Sequence, residues 1–375
     1  MSRTSHNVLI VAGEASGDRH AARLVAAIRA QRPDTTFWGI GGELLREQGV
    51  ETLFDAAQMN VVGFIEVLKR YRFFRRVFRT ITDESRRRHS TLAILVDYPG
   101  FNIRLAAELH KAGIPVVYYI APQVWAWKEG RVQQLRRYVN DLVVVFPFEM
   151  EFFRERGITP HFFGHPLVDQ VAELRARAGD AGRFAGEDGR RKIAYLPGSR
   201  PEEIQRHMPL IREVIGMLGP GYRHVIPQAT TIPRELLERY RRDAEFEIVG
   251  SSYEALSGAD AALVKSGTST LDATLLDVPF TVMYKTSGLT YRIARRLIKV
   301  PFIAMTNVLA KRKIVCEFIQ DDVTAEGLAG ELRRLMEDSP YREEIREGLR
   351  EVRGLLGEVG ATGRVADFIL QRYLP

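Results

Sequence analysis

Short apolar runs rich in β-branched residues recur along this 375-residue chain, and most lead through a turn into a helical pattern. That alternation is the signature of β-α units wound around parallel sheets, whose strands are covered on both faces and so read as continuous apolar segments. In the first half the strand candidates are Val8–Ala12, Leu92–Val96, Val116–Ile120 and Leu142–Phe146, with helices such as Arg19–Ala30 and Ile103–Ala112 between them. The pattern then restarts at Ile193–Leu196, His224–Ile226, Phe246–Val249, Ala261–Val264 and Phe280–Tyr284, and a helical tail follows from about Ala325 to Leu374. The fold class expected is α/β, with two doubly wound domains over residues 1–170 and 191–335, a linker or insertion at 171–190 and a helical tail at 336–375. A length of 375 residues fits that division, since domains run to about 100–200 residues. Ligands are then expected between the domains, at the carboxyl ends of their strands.

Hydrophobic residues make up 45% of the chain and charged residues 27%, the balance of a protein with a sizeable core. The single cysteine, Cys316, forms no internal disulfide and is expected in the core, and no Cys/His group has zinc-ligand spacing, so a reducing compartment without a structural metal is the default. The N-terminus passes directly into Val8–Ala12 with no signal-peptide order, and no apolar stretch approaches the roughly 18–20 residues of a spanning helix. A cytoplasmic protein is expected. The net charge of +7 is concentrated between Phe64 and His89, where nine lysines and arginines face three acids.

Four turns carry candidate chemistry. Val8–Ala12 leads into Gly13-Glu14-Ala15-Ser16-Gly17-Asp18 and a helix, where backbone amides can face a phosphate or sugar; the same spacing serves a tight turn capped by Ser16 or Asp18. Leu92–Val96 ends in Asp97-Tyr98-Pro99-Gly100-Phe101-Asn102, which puts a carboxylate where a general base belongs; the alternative is an Asx-turn with Asn102 as helix cap. Gly198, Ser199 and Arg200 follow the strand at Ile193–Leu196, with the arginine fork suited to a diphosphate or else paired with Glu203. Ser266, Gly267 and Thr268 repeat the arrangement, and Asp272 one turn later is placed for a ribose diol or simply favoured by the helix dipole.

Between Phe64 and Ile81 the apolar residues, among them Val67, Leu68, Tyr71, Phe74 and Phe78, follow helical spacing while Arg72, Arg75 and other cations crowd the same stretch. The apolar set overflows one stripe, which favours binding to an anionic membrane surface over a core-facing helix with a solvated face. No nucleic-acid reading module accompanies the charge. Trp125 and Trp127 lie in a loop after the third strand, where they pack on a sugar or lipid or cement a domain interface, and His165 sits at the domain junction, where a structural role is favoured over a catalytic one.

These segments resemble, in order, those of the lipid-A-disaccharide synthases, two-Rossmann-domain glycosyltransferases of the GT-B type. The matching stretches are Gly13–Asp18, Val61–Leu68, Asp97–Asn102, Pro122–Arg131, Gly164–Asp169, Leu196–Ile204, Lys265–Asp272 and Thr306–Asp322. The resemblance implies transfer of the sugar of UDP-2,3-diacylglucosamine to 2,3-diacylglucosamine 1-phosphate (lipid X), giving a β-1,6-linked disaccharide 1-phosphate and UDP. It implies that Asp97 deprotonates the acceptor 6-hydroxyl, that Arg200 and Asn307 serve the donor nucleotide and its diphosphate, and that Ser266–Thr268 form the second phosphate loop. Asp272 departs from the glutamate usual there, one methylene longer. Gly13, Glu14, Ser16, Gly17, Gly198 and Ser199 complete the expected UDP-sugar set, and Val62, Phe64, Val67, Leu68, Tyr71, Arg72, Phe74, Arg75, Phe78, Trp125 and Trp127 the acceptor or membrane set.

The resemblance further implies a homodimer exchanging C-terminal segments, the tail packing on an N-terminal domain, and work at the inner face of the cytoplasmic membrane of a bacterium that makes lipid A. An α-linked donor giving a β-glycoside requires inversion by in-line attack with one base. No cofactor is expected, and no paired-aspartate metal motif is apparent, Asp321-Asp322 reading as a surface turn. The rivals are another UDP-sugar enzyme, such as an epimerase or a transferase with a different lipid acceptor, and a nucleotide-linked membrane module without catalysis. The missing dinucleotide fingerprint argues against a dehydrogenase.

Overall fold

The computed structural model describes residues 6–59, 70–126, 129–178, 189–241, 245–288, 291–292 and 300–375. It divides into two compact units, Met1–Pro166 together with Glu358–Pro375, and Leu167–Gly357.

The first unit is built on seven strands: β1 (Asn7–Ala12), β2 (Thr36–Gly41), β3 (Glu51–Asp55), β4 (Leu92–Val96), β5 (Val116–Tyr119), β6 (Asp141–Val144) and β7 (Pro160–Phe162). All pair in parallel, in the spatial order β3-β2-β1-β4-β5-β6-β7. The central strands β1 and β4 are wholly apolar from Val8 to Ala12 and from Leu92 to Val96 because helices cover both faces. The second unit repeats the plan with β8 (Arg191–Leu196), β9 (Tyr222–Pro227), β10 (Glu247–Val249), β11 (Ala261–Lys265), β12 (Phe280–Tyr284) and β13 (Glu317–Ile319), in the order β10-β9-β8-β11-β12-β13. In each sheet the order reverses beside the first strand, between β1 and β4 and between β8 and β11. Crevices for ligands open at such switch points, outside the carboxyl ends of the strands.

Two expected boundaries differ. A helix, Pro166–Ala178, runs through the first part of the stretch read as a linker. The tail does not act as one piece: Ser339–Leu355 packs within the second unit on the helices Ser269–Leu275, Met305–Ala310 and Ala325–Glu337, and Gly348 lies against Ile314. Only the last helix, Ala361–Tyr373, returns to the first unit, where Val365, Ala366 and Ile369 join Leu24, Val25 and Ile28 in one core. Its end is tied down by Asp141, whose carboxylate accepts from His161 Nε2 at 2.8 Å, from Arg372 Nε at 3.0 Å and from the Tyr373 hydroxyl.

The helix Tyr71–Arg87 is amphipathic and its apolar side turns inward. Phe73, Phe74 and Phe78 pack against the core, Phe78 lying 5.8 Å edge-on to Phe101. Tyr71, Arg72, Arg75, Arg76 and Arg79 stay exposed. Of the acceptor or membrane set, Phe74 and Phe78 are therefore core-facing rings, while Val62, Phe64, Val67, Leu68 and Trp127 lie outside the described residues.

Candidate functional site

At the first switch point β1 delivers Gly13 and Glu14 to the start of the helix Ala15–Gln31, and β4 delivers Asp97 and Tyr98 to the start of Pro99–Lys111. The Tyr98 ring lies so close over Gly13 that a Cβ there would sit 2.5 Å from it, which is why the turn requires glycine. Glu14 is the extended cap residue of its helix, Ser16 is exposed and Gly17 buried. Asp18 serves the fold instead, accepting from the amides of Gly42 at 2.6 Å and Leu44 at 3.1 Å and so holding the start of the helix Glu43–Glu47.

Asp97 and Tyr98 both take φ of +47°, a left-handed conformation that side-chain-bearing residues rarely adopt. Asn102 does not cap the helix; Tyr98 occupies that position, and the Asn102 amide reaches back to the carbonyls of Val96 at 3.2 Å and Asp97 at 2.8 Å. Burial, reinforced by the charge of Glu14, pushes the Asp97 carboxyl up to about 7, although the Tyr98 amide donates to it. A carboxylate so placed is a strong enough base to take a hydroxyl proton near neutrality.

Trp125 is held by Glu149, whose Oε1 accepts its Nε1 at 2.9 Å while Oε2 accepts from the amides of Val145 and Phe146 at 3.1 Å. The indole meets Phe148 edge-on at 4.9 Å. Glu149 is fully buried, and burial pushes it up to about 7 against these donors, with the Asp97 charge adding to the rise. His165 lies 5.3 Å from the Phe146 ring, and burial, with His20 nearby, drives it down to about 3, so it is a neutral imidazole at ordinary pH.

At the second switch point Gly198, at φ +127°, opens the turn after β8, and the carboxylate of Glu203 fills the space a Cβ there would need. Glu203 Oε2 accepts the Ser199 amide at 2.9 Å, while Oε1 lies 3.0 Å from Lys265 Nζ and 3.7 Å from Arg200. The Arg200–Glu203 pairing left open by the sequence is therefore present, and Lys265 joins it. Despite burial, which works the other way, Lys265 holds the Glu203 carboxyl below its ordinary value. Ser266 Oγ donates to the Ile303 carbonyl at 2.8 Å, Thr268 stands at the N-cap position of the helix Ser269–Leu275 without a side-chain capping bond, and Asp272 lies half-buried in its first turn.

Asn307 differs from the expected contact with donor nucleotide. It is fully buried, its Oδ1 accepts from the amides of Ile314 and Val315, and its Nδ2 donates to the Val315 carbonyl and to Glu317 Oε1 at 2.8 Å. Glu317 in turn accepts from the amides of Ile303 and Ala304. Asn307 thus fixes the backbone on which the Ser266 hydroxyl lands, with no hydrogen-bonding capacity left to offer a ligand.

The two mouths differ in chemistry. The first collects the acids Glu14 and Asp97, suited to hydroxyls; the second sets the cations Arg200 and Lys265 beside open backbone turns, suited to an anion. Glu149, Lys265 and Glu317 were not singled out from sequence. Lys265 alone had a signal, adjoining the Ser-Gly-Thr turn at the strand end. Among the described residues, no group of three or more His, Cys, Asp or Glu is placed to hold a metal ion, and no helix is long and apolar enough to cross a membrane.

A family model described as Lipid-A-disaccharide synthetase matches residues 8–360. The lipid-A-disaccharide synthase of Myxococcus xanthus is 42% identical over 374 residues, covering 98% of each chain. That of Geobacter sulfurreducens is 39% identical over 374 residues, covering 98% of this chain and 97% of its own. Among solved structures, a UDP-N-acetylglucosamine 2-epimerase described as putative, from Listeria monocytogenes, superposes with a TM-score of 0.67 at 13% identity, covering 99% of this chain and 97% of its own. The calicheamicin glycosyltransferase CalG4 gives 0.63 at 14%, covering 99% and 100%. At such identities these structures speak for the fold alone.

Proposed function

The chain belongs to the lipid-A-disaccharide synthase family of UDP-sugar glycosyltransferases, and on that premise we propose that it joins UDP-2,3-diacylglucosamine to lipid X with inversion, Asp97 acting as general base. The observation that carries this reading is the place of Asp97: a carboxyl at the end of β4, at a switch point, raised to about 7 by burial. The acceptor 6-hydroxyl gives its proton to Asp97 as its oxygen attacks the anomeric carbon. The bond from that carbon to the diphosphate oxygen breaks on the opposite face, and UDP departs as an anion with no covalent intermediate. Arg200, Lys265 and the turn Ser266–Thr268 are the groups suited to that leaving charge, and Glu14 is suited to sugar hydroxyls. Asn307 acts through the backbone it holds.

The exposed cations of Tyr71–Arg87 support docking on an anionic inner-membrane surface through charge, since its phenylalanines face the core. In a homodimer that exchanges C-terminal segments, the helix Ala361–Tyr373 would make its present contacts on the other copy.

The test is to incubate purified protein with both lipids in detergent without divalent metal, following UDP release and product mass together. Disaccharide formed with UDP, lost in Asp97→Asn while UDP still binds, is the expected result. UDP release without disaccharide would overturn the acceptor assignment, and undiminished transfer by Asp97→Asn the base.

A further inference from the structure

We propose that Tyr118 and Asn102 are positioning residues for the base: together they clamp the backbone carbonyl of Asp97 and thereby hold the left-handed turn that aims its carboxyl group. The inference rests on Asp97 being the base, and goes beyond it to what keeps that base in place.

Two successive residues with side chains at φ +47° do not persist unless their surroundings over-determine them. At Asp97 the determinants are visible. Its amide extends the β4–β5 ladder by donating to the Tyr119 carbonyl at 3.1 Å. Its carbonyl oxygen, turned out of the ladder by the left-handed step, receives the Tyr118 hydroxyl at 2.5 Å and Asn102 Nδ2 at 2.8 Å, so both lone pairs are occupied. The second Nδ2 hydrogen goes to the Val96 carbonyl, which pins the residue before the turn as well.

Both clamp residues are fully buried. A phenylalanine at 118 would fill the same core space, so the hydroxyl is explained by the bond it makes. Asn102 is more telling still: its Oδ1 is buried without a hydrogen-bond partner, a cost that packing alone does not explain, and the amide is fixed in that orientation by its two carbonyl acceptors. Downstream, the Tyr98 hydroxyl donates to the Met59 carbonyl at 2.8 Å, anchoring the far side of the turn.

The experiment is a double-mutant cycle on the full chain with Tyr118→Phe, Asp97→Asn and both together, read as kcat, donor KM, UDP affinity and the pH profile of kcat. In the wild-type background Tyr118→Phe is expected to lower kcat about tenfold, leave donor KM and UDP affinity unchanged, and move the acid limb to lower pH as the freed carboxyl gains water. In the Asp97→Asn background it is expected to have no further effect on the residual rate. A lowered melting temperature with kcat and the acid limb in place would overturn the clamp, as would equal losses in both backgrounds. A wild-type rate in Asp97→Asn would instead remove the base itself, and the proposal with it. If Tyr118→Phe does not fold, Asn102→Ala puts the same question with the same readouts.

Discussion

Asp97→Asn is expected to stabilise the protein, and the gain should grow with pH. The fold raises this carboxyl from 3.8 to about 7, chiefly by burial and then by the charge of Glu14. Between those values the folded chain keeps a proton that the unfolded chain has released, so the wild type loses stability as pH rises through the window and levels off above about 7. A shift of roughly three units corresponds to an upper bound of about 4 kcal/mol, and because the side chain stays partly open at the mouth, screening reduces this to about 1–2 kcal/mol. Asparagine has the same shape, carries no charge and can still accept the Tyr98 amide. The effect on Glu149 has the same sign, since the Asp97 charge is one cause of its rise. Calorimetric melting at pH 5 and pH 8 should therefore show the transition of the first unit rising by a few degrees in the variant at pH 8, with a much smaller gain at pH 5. A gap that is equal at the two pH values, or a wild type more stable than the variant at pH 8, would refute the assignment of a raised, buried acid. The same experiment separates stability from function, because a site residue held in an unfavourable state is where the two are expected to conflict.

Two further outcomes follow from the second unit and from the basic helix. Glu203 occupies the Ser199 amide and offsets part of the charge of Lys265 and Arg200, so Glu203→Gln is expected to tighten UDP binding a few-fold by calorimetry, and a weaker affinity would mean that the carboxylate organises the turn rather than fills it. Reversing the charge of the exposed Arg72, Arg75 and Arg76 is expected to weaken binding to anionic vesicles at least tenfold at low salt, at about 1 kcal/mol for each cation near such a surface; unchanged binding would remove charge as the means of docking.

The strands most legible in the sequence were those buried on both faces. Leu92–Val96 and Phe280–Tyr284 have the bounds read from their apolar runs, because an interior parallel strand is covered on both faces and so is largely apolar, Thr281 being the one small polar residue. Thr36–Gly41 went unseen because Gly39 interrupts it and Gly41 ends it, and Glu51–Asp55 and Glu317–Ile319 because edge strands are short, only half-buried and mixed in polarity. The tail shows a deeper limit. Periodicity marks Ser339–Leu355 and Ala361–Tyr373 as helices alike, but which core each joins depends on complementary surfaces elsewhere, Ile314 and the Ser269–Leu275 helix for one, Leu24 and Ile28 for the other. The site divides in the same way. The turns at Gly13, Asp97 and Gly198 were legible because a strand end followed by small or turn-forming residues marks itself locally. Tyr118, Asn102, Glu149 and Glu317 were not, because each exerts its effect on a backbone group or side chain elsewhere in the fold, and only there does its polar atom acquire a partner. Asn307 joins the two cases: resemblance marked the position, and the hydrogen bonds that consume its amide at Ile314, Val315 and Glu317 hold the shape of the loop. Groups at the strand ends and the residues that hold them are therefore found by different means, and substitutions of the second kind should change kcat through geometry while leaving the charges at the mouth intact.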